Sequence, residues 1–351
     1  MREQKYVFLW IICALLLISG CSSKKHFEPK LISGEMPFKG TLSAPLQSVT
    51  RQGATLKDNT LISFWQGITP LVLQKGYTFL TQDNHTYVVQ KACGEILIIE
   101  SSTIESSAQN ARNAPQSHQS ILHTLPFDSC VISASLKGDK LALVMIDNTL
   151  IFYDISAQKE IFSQKYPQAI AINAYLAAPQ ITNEYVIYPD LEGKILIYSI
   201  AQNKIIKDIL ISSDKFFNNV IYMYAQGNYL LAATAKRVSA IIDDKNFKYD
   251  VDLRDVLFAN NKVYVLSIEG EILELDHTLK LLRKTRLPFA VLSGLIIHND
   301  TLYTLEKGGY TIAINLSDFT PLVYKNKLPK KKSLFYTKDT FFYDRAYTRF
   351  E

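Results

Sequence analysis

Beyond residue 45 the apolar positions come in short runs of about five to seven, separated by polar turns, and one order of run and turn keeps returning. It is a polar turn, a short apolar strand, a second turn usually holding Gly, then a strand with apolar residues at alternate or consecutive positions. The copies are "NHTYVVQKACGEILIIE" at 84–100, "GDKLALVMIDNTLIFYDI" at 138–155 and "NEYVIYPDLEGKILIYSI" at 183–200. They continue with "GNYLLAATAKRVSAIID" at 227–243, "NNKVYVLSIEGEILELD" at 260–276 and "NDTLYTLEKGGYTIAINL" at 299–316. Each reads as a β-hairpin, because turn residues join two β-rich runs. Between copies there is room for two further strands, such as "KEIFSQKY" and "NVIYMYA".

The copies start 54, 45, 44, 33 and 39 residues apart. Four-stranded units recurring at about 40 residues predict an all-β β-propeller of antiparallel blades. A seventh hairpin starts near Lys338 without a clear final strand, and "ATLKDNTLISFWQGITPLVLQ" at 54–74 offers surplus strands. The simplest closure has the N- and C-terminal strands share one blade. Chain length then predicts seven blades, and eight if the N-terminal hairpins form a blade of their own. A sandwich does not need near-equal units, and transmembrane barrel strands run longer, at about 9–11 residues.

The first twenty residues break this pattern. Arg2 and Lys5 precede an apolar run from Val7 to Ile18, too short for a membrane span of about 20 residues but fitting a signal peptide. The run ends Ile18-Ser19-Gly20-Cys21, which resembles the bacterial lipobox. That resemblance implies cleavage before Cys21 and acylation of its sulfur, with residues 21–45 as a polar tether and 46–351 as one propeller. Ser22, rather than Asp, implies the outer membrane facing the periplasm. The alternatives are an ordinary signal peptide with an incidental cysteine, or an uncleaved anchor.

Composition supports a globular β-protein: 48% apolar and 20% charged, with 20 Tyr and 18 Phe. The net charge of +5 is too mild to argue for nucleic acid. Cys93 and Cys130 flank the one long polar, low-complexity stretch, 101–120, which reads as a surface insertion. In an exported protein they are expected to form a disulfide, worth roughly 4 kcal/mol by chain entropy. Two separate buried thiols are the alternative.

A lipobox followed by strands ending Gly-x-[Ile/Leu]-x-[Ile/Leu], as in "GKILIYSI" and "GEILELD", resembles the lipid-anchored propellers of the PQQ-like superfamily, the BamB-type lipoproteins of outer-membrane assembly. The resemblance implies a non-enzymatic, eight-bladed scaffold that binds envelope proteins, including the outer-membrane assembly machinery, as a monomer held to the membrane through Cys21. This chain is shorter and lacks the recurrent tryptophan of such blades, since only Trp10 and Trp65 are present. No partner-binding residue carries over.

Candidate chemistry is sparse. There is no GxSxG elbow, Walker loop or GxGxxG after a strand, and the six histidines form no HxH or HxxxH pair. No catalytic residue, metal ligand or cofactor is expected. The strands expected to line the axis, "VISASL", "NVIYMYA", "DVLFA" and "LSGLIIH", are mostly apolar and disfavour a hydrolase or lactonase site. Asp147, Asp190, Glu192, Glu269 and Glu306 fall at hairpin turns, either as a ring of acids or as ordinary solvated turns. Lys325, Lys327, Lys330, Lys331, Lys332 and Lys338 form a late basic cluster, read as a solvated loop or as a lipid contact. A surface-exposed ligand-binding lipoprotein is the remaining alternative to a periplasmic scaffold.

Overall fold

Apolar residues at consecutive strand positions require partners on both faces of a sheet, and the chain supplies them by stacking sheets around an axis. The computed structural model describes residues 26–103, 117–329 and 332–350. Among these it holds no helix and eight antiparallel blades of four strands. In chain order the blades begin at Leu46, Thr78, Val131, Gln180, Tyr222, Leu253, Leu292 and Leu334. The first strands of neighbouring blades pack on one another around the axis, and the later strands step outwards.

Eight apolar clusters fill the eight gaps between blades. Blade 3 shows how one strand serves two gaps. Leu141 and Leu143 face blade 2, while Ala142 and Val144 face blade 4. The outermost strands are half solvated and alternate, as in Lys245–Asp250. Each of the six sequence repeats is the second and third strand of a blade, for example Lys262–Ser267 with Glu271–Asp276. Tight turns before these hairpins use left-handed Asn and Asp, as at Asn260 (φ 52°), Asn261 (φ 57°), Asn299 (φ 44°) and Asp300 (φ 54°).

The ring has eight blades, the count expected if the N-terminal hairpins form a blade of their own, rather than seven. Segment 54–74 does not complete the last blade. It forms most of blade 1, whose four strands run from Leu46 to Val72. Dividing the length by about 40 undercounts, because blade 1 has short strands and blade 8 draws only Leu334–Tyr336, Thr340–Tyr343 and Ala346–Arg349 from the C-terminal end. The shared closing blade is present: Gly40–Thr41 pairs antiparallel with Ala346–Arg349 as the fourth strand of blade 8. Gly40 gives the Tyr347 ring its place there, since a Cβ would lie 2.3 Å from that ring and displace it. Gly34–Glu35 adds a fifth, parallel strand to blade 7 beside Pro321–Lys325. From residue 26 onwards, then, the segment expected as a tether lies against the ring.

Candidate binding site at the channel mouth

The innermost strands are apolar, as expected, with one exception that matters. "DVLFA" opens with Asp255, in a first strand of blade 6 (Leu253–Ala259) whose register shifts between Leu253 and Asp255. The Asp255 carboxylate is almost fully buried and meets Arg51, which the tight turn between Leu46–Val49 and Gly53–Leu56 carries into the axis from blade 1. Gly53 allows that turn, because a Cβ would sit 2.6 Å from Phe79 and 2.8 Å from the Ile62 carbonyl. Arg51 Nη2 donates to Asp255 Oδ1 at 2.9 Å, and the Tyr336 hydroxyl of blade 8 donates to Asp255 Oδ2. The guanidinium lies 5.6 and 5.5 Å from the ring centroids of Tyr175 and Tyr222. Gln52 beside it donates to the Ala134 carbonyl of blade 3 at 2.7 Å.

The electrostatics fix the charge states. Burial works to lower the Arg51 pKa, but the charge and hydrogen bond of Asp255 outweigh it and hold the guanidinium ionised. Burial, reinforced by the Asp255 charge, pushes the Tyr336 phenol well above its usual value. Arg51, Asp255 and Tyr336 form a hydrogen-bonded partition across the channel, in which the buried Arg51 Nε and Gln52 Oε1 atoms find no partner among the described residues.

On the side of this partition where the first strands end, a cavity of about 630 Å³ opens outwards. Its wall is largely apolar: Phe64, Pro179, Met223, Phe258 and Ile297, with Trp65 at 46% exposure. Gln180 and Lys338 add polar groups. A second hollow of about 510 Å³ adjoins it through Tyr224 and Phe258; the Phe258 ring lies 4.7 Å from that of Tyr224, tilted, and stacks on Tyr229 at 4.8 Å. Asn228, Asn260, Asn261 and His277 line that hollow.

The residues singled out from sequence lie elsewhere. Cys21 falls outside the described residues. Cys93 and Cys130 are joined in the structure with Cα atoms 4.4 Å apart, linking a turn of blade 2 to the connection that enters blade 3. Gly94 in that turn has φ 84°, and a Cβ there would lie 2.1 Å from the Phe127 carbonyl oxygen.

The five turn acids do not converge. Asp147 pairs with Lys165 at 2.8 Å and Glu269 with Arg286 at 3.1 Å. Glu306 accepts from the Gly308 N–H at 2.6 Å. Asp190 is buried and accepts the Glu192 and Lys194 N–H groups at 3.0 and 2.6 Å. Burial pushes its carboxyl up to about 6 against those bonds. Among the described residues no three His, Cys, Asp or Glu side chains gather as metal ligands. Of the lysines, Lys327 pairs with Glu35 at 3.0 Å, and Lys330 and Lys331 lie outside the described residues.

Sequence reasoning missed Arg51, Asp255 and Tyr336. The available signal was a lone acid heading an apolar inner strand, whose partner stands 204 residues away.

Fold and site together define a closed eight-bladed β-propeller with a hydrogen-bonded channel partition and an open apolar mouth. The chain belongs to the family of the plasminogen-binding protein PgbB of Helicobacter pylori. It is 34% identical to PgbB of strain J99 and 33% identical to PgbB of strain 26695, in each case over 97% of this chain and 70% of the relative. No family model matches. Among solved structures, BamB from Moraxella catarrhalis superposes with TM-score 0.62 at 12% identity, over 85% of this chain and 96% of that one. The C-terminal WD40 domain of Sif2 gives TM-score 0.63 at 10% identity, over 92% and 99%. These two likenesses show the fold, and the BamB-like propeller read from the sequence agrees with them. The relatives are named for binding and not for a reaction, in agreement with a non-enzymatic propeller.

Proposed function

We propose that this chain is a lipid-anchored, non-enzymatic binding propeller of the bacterial cell envelope that takes a protein partner at the channel mouth. The observation that carries the reading is the half-exposed Trp65 standing over an apolar cavity whose floor is the hydrogen-bonded partition. A large aromatic beside a concave apolar wall is the usual anchor of a protein interface. The lipid anchor is supported by the Ile18-Ser19-Gly20-Cys21 box alone.

The partner we propose is plasminogen, after the relatives' names. Such a partner is met outside the cell, so the proposal takes up the surface-exposed reading in preference to the periplasmic one. A role in outer-membrane assembly has only the shared fold to support it, and fold does not carry function.

The test is binding of the purified full chain to immobilised plasminogen, alongside Trp65→Ala and Phe258→Ala. Loss of a central aromatic anchor costs about 2 kcal/mol, roughly 30-fold in Kd. Absence of plasminogen binding by the parent chain removes the proposed partner. Binding that ignores both substitutions removes the proposed site. Protease treatment of intact cells decides the side: a chain that resists shaving is not on the surface.

A further inference from the structure

The outer rim between blades 6 and 7 carries a groove with large apolar side chains exposed along it. Residues 26–31 cross this rim before the chain joins blade 7 as Gly34–Glu35. Phe27 fixes that crossing. It is buried in the cluster of blades 6 and 7, edge-on to Tyr310 at 5.7 Å. Four residues on, Leu31 is 75% exposed, and Phe289, on the connection from blade 6 to blade 7, is 53% exposed. Both line one groove of about 730 Å³. Phe289 also has φ 65°, a conformation that bulky residues rarely adopt and that costs free energy to hold. The fold therefore maintains an outward aromatic at a strained position. Charges of both signs flank the groove: Lys30 and Glu28 are exposed, and Arg286 lines it while pairing with Glu269 at 3.1 Å. Lys24 and Lys25 precede it in the sequence.

We propose that this rim rests on the bilayer, with Leu31 and Phe289 in the interfacial layer and Lys30 and Arg286 at anionic headgroups. The inference rests on the lipid-anchor reading. Cys21 stands five residues before His26, and five fully extended residues span at most about 18 Å. An acylated Cys21 thus holds the start of this crossing close to the headgroups whatever path the intervening residues take. Exposed apolar side chains at that distance are positioned to enter the interface, and Lys30 can reach the headgroups beside them. Contact through the rim leaves the channel mouth, which opens on a face of the ring, free for a partner.

The experiment uses the full chain, expressed in bacteria, purified from membranes and reconstituted into vesicles of phosphatidylcholine and phosphatidylglycerol brominated on their acyl chains. Once the leader is removed, Trp65 is the only native tryptophan. Phe289→Trp and Leu31→Trp each add a probe at the rim patch. Ile121→Trp adds one at an exposed site on the outer strand of blade 2. The expected result is quenching of the emission added at 289 and 31 by about half or more, since interfacial side chains sit about 5–10 Å deep. Trp65 and the Ile121→Trp probe remain unquenched. A chain that floats with the vesicles yet shows no quenching at either rim position, or equal quenching at 121, overturns the rim contact while leaving the anchor intact. A chain that does not float and carries no acyl mass on its N-terminal peptide overturns the anchor and the rim contact together. Emission at the rim that responds to protein concentration but not to bromine assigns the patch to a second copy of the chain, and the proposal fails.

Discussion

The floor and the mouth of the channel invert the usual order of a protein interior. The floor is polar and buried: Arg51 and Tyr336 both donate to the Asp255 carboxylate, joining three blades, while Arg51 Nε finds no partner among the described residues. The mouth is apolar and half open, with Trp65, Phe258 and Ile297 turned to the cavity. Apolar packing has no directional preference, whereas a charged pair with hydrogen bonds on both carboxylate oxygens is made in one geometry only. The floor therefore specifies how blades 1, 6 and 8 face one another, and the mouth is left available to a partner.

Breaking the floor gives the largest expected effect. Asp255→Ala leaves the Arg51 guanidinium buried without its counter-charge, at a cost of about 3–5 kcal/mol. Replacing both members, Arg51→Met with Asp255→Leu, costs much less, because neither charge is then buried alone. Urea unfolding of the single and double variants measures both. Equal losses would show that the two side chains act by packing and not as a pair.

The Cys93–Cys130 bond acts on blades 2 and 3, away from the floor. Reduction lowers stability by about 2–4 kcal/mol, the range typical of such a loop. Channel-mouth binding should survive reduction under conditions where the ring stays folded. Mass mapping without reductant checks that the bond forms, and free thiols at both positions would remove it.

Asp190 sharpens the contrast through pH, since it is buried without a charged partner at the floor and burial disfavours its charged form. Its folded pKa is raised, to about 6 from 3.8. The native state therefore holds the proton more tightly than the unfolded chain. That preference stabilises the fold fully below about 3.8 and is lost as pH rises through about 6. Two units correspond to a fall of about 3 kcal/mol, as an order of magnitude, at 1.36 kcal/mol per unit. Asp190→Asn, which keeps the turn acceptor, should flatten that part of a stability-versus-pH curve. An unchanged slope would mean that another group carries it.

The smallest stability effect belongs to the mouth. Trp65→Ala should shift unfolding by no more than about 0.5 kcal/mol, in the range of a surface change, while binding of a partner falls far more. A large loss of stability would make Trp65 part of the ring's packing and dissolve the distinction between floor and mouth.

Much of the fold is legible in the sequence because each blade carries its own hairpin. The repeat from Asn260 to Asp276 reads as two strands and a turn through local signals alone, and it folds as the middle of blade 6. The same signals placed the apolar inner strands correctly. The blade count did not follow, since segment 54–74 has the strands of a blade without the spacing of one. The site was less legible. Arg51 sits in an ordinary Thr-Arg-Gln-Gly turn, and nothing in its neighbours points to Asp255.

By itself the sequence determined the hairpins and their antiparallel blades. These depend on contacts between near neighbours, which periodicity and turn residues report. Only the tertiary structure decided that eight blades close the ring, that Phe27 folds the expected tether back onto its rim, and that an arginine and an aspartate 204 residues apart meet on the axis. Ring closure brings together first strands that are remote in sequence, and the angle at which the last blade meets the first exists only once all the blades have packed.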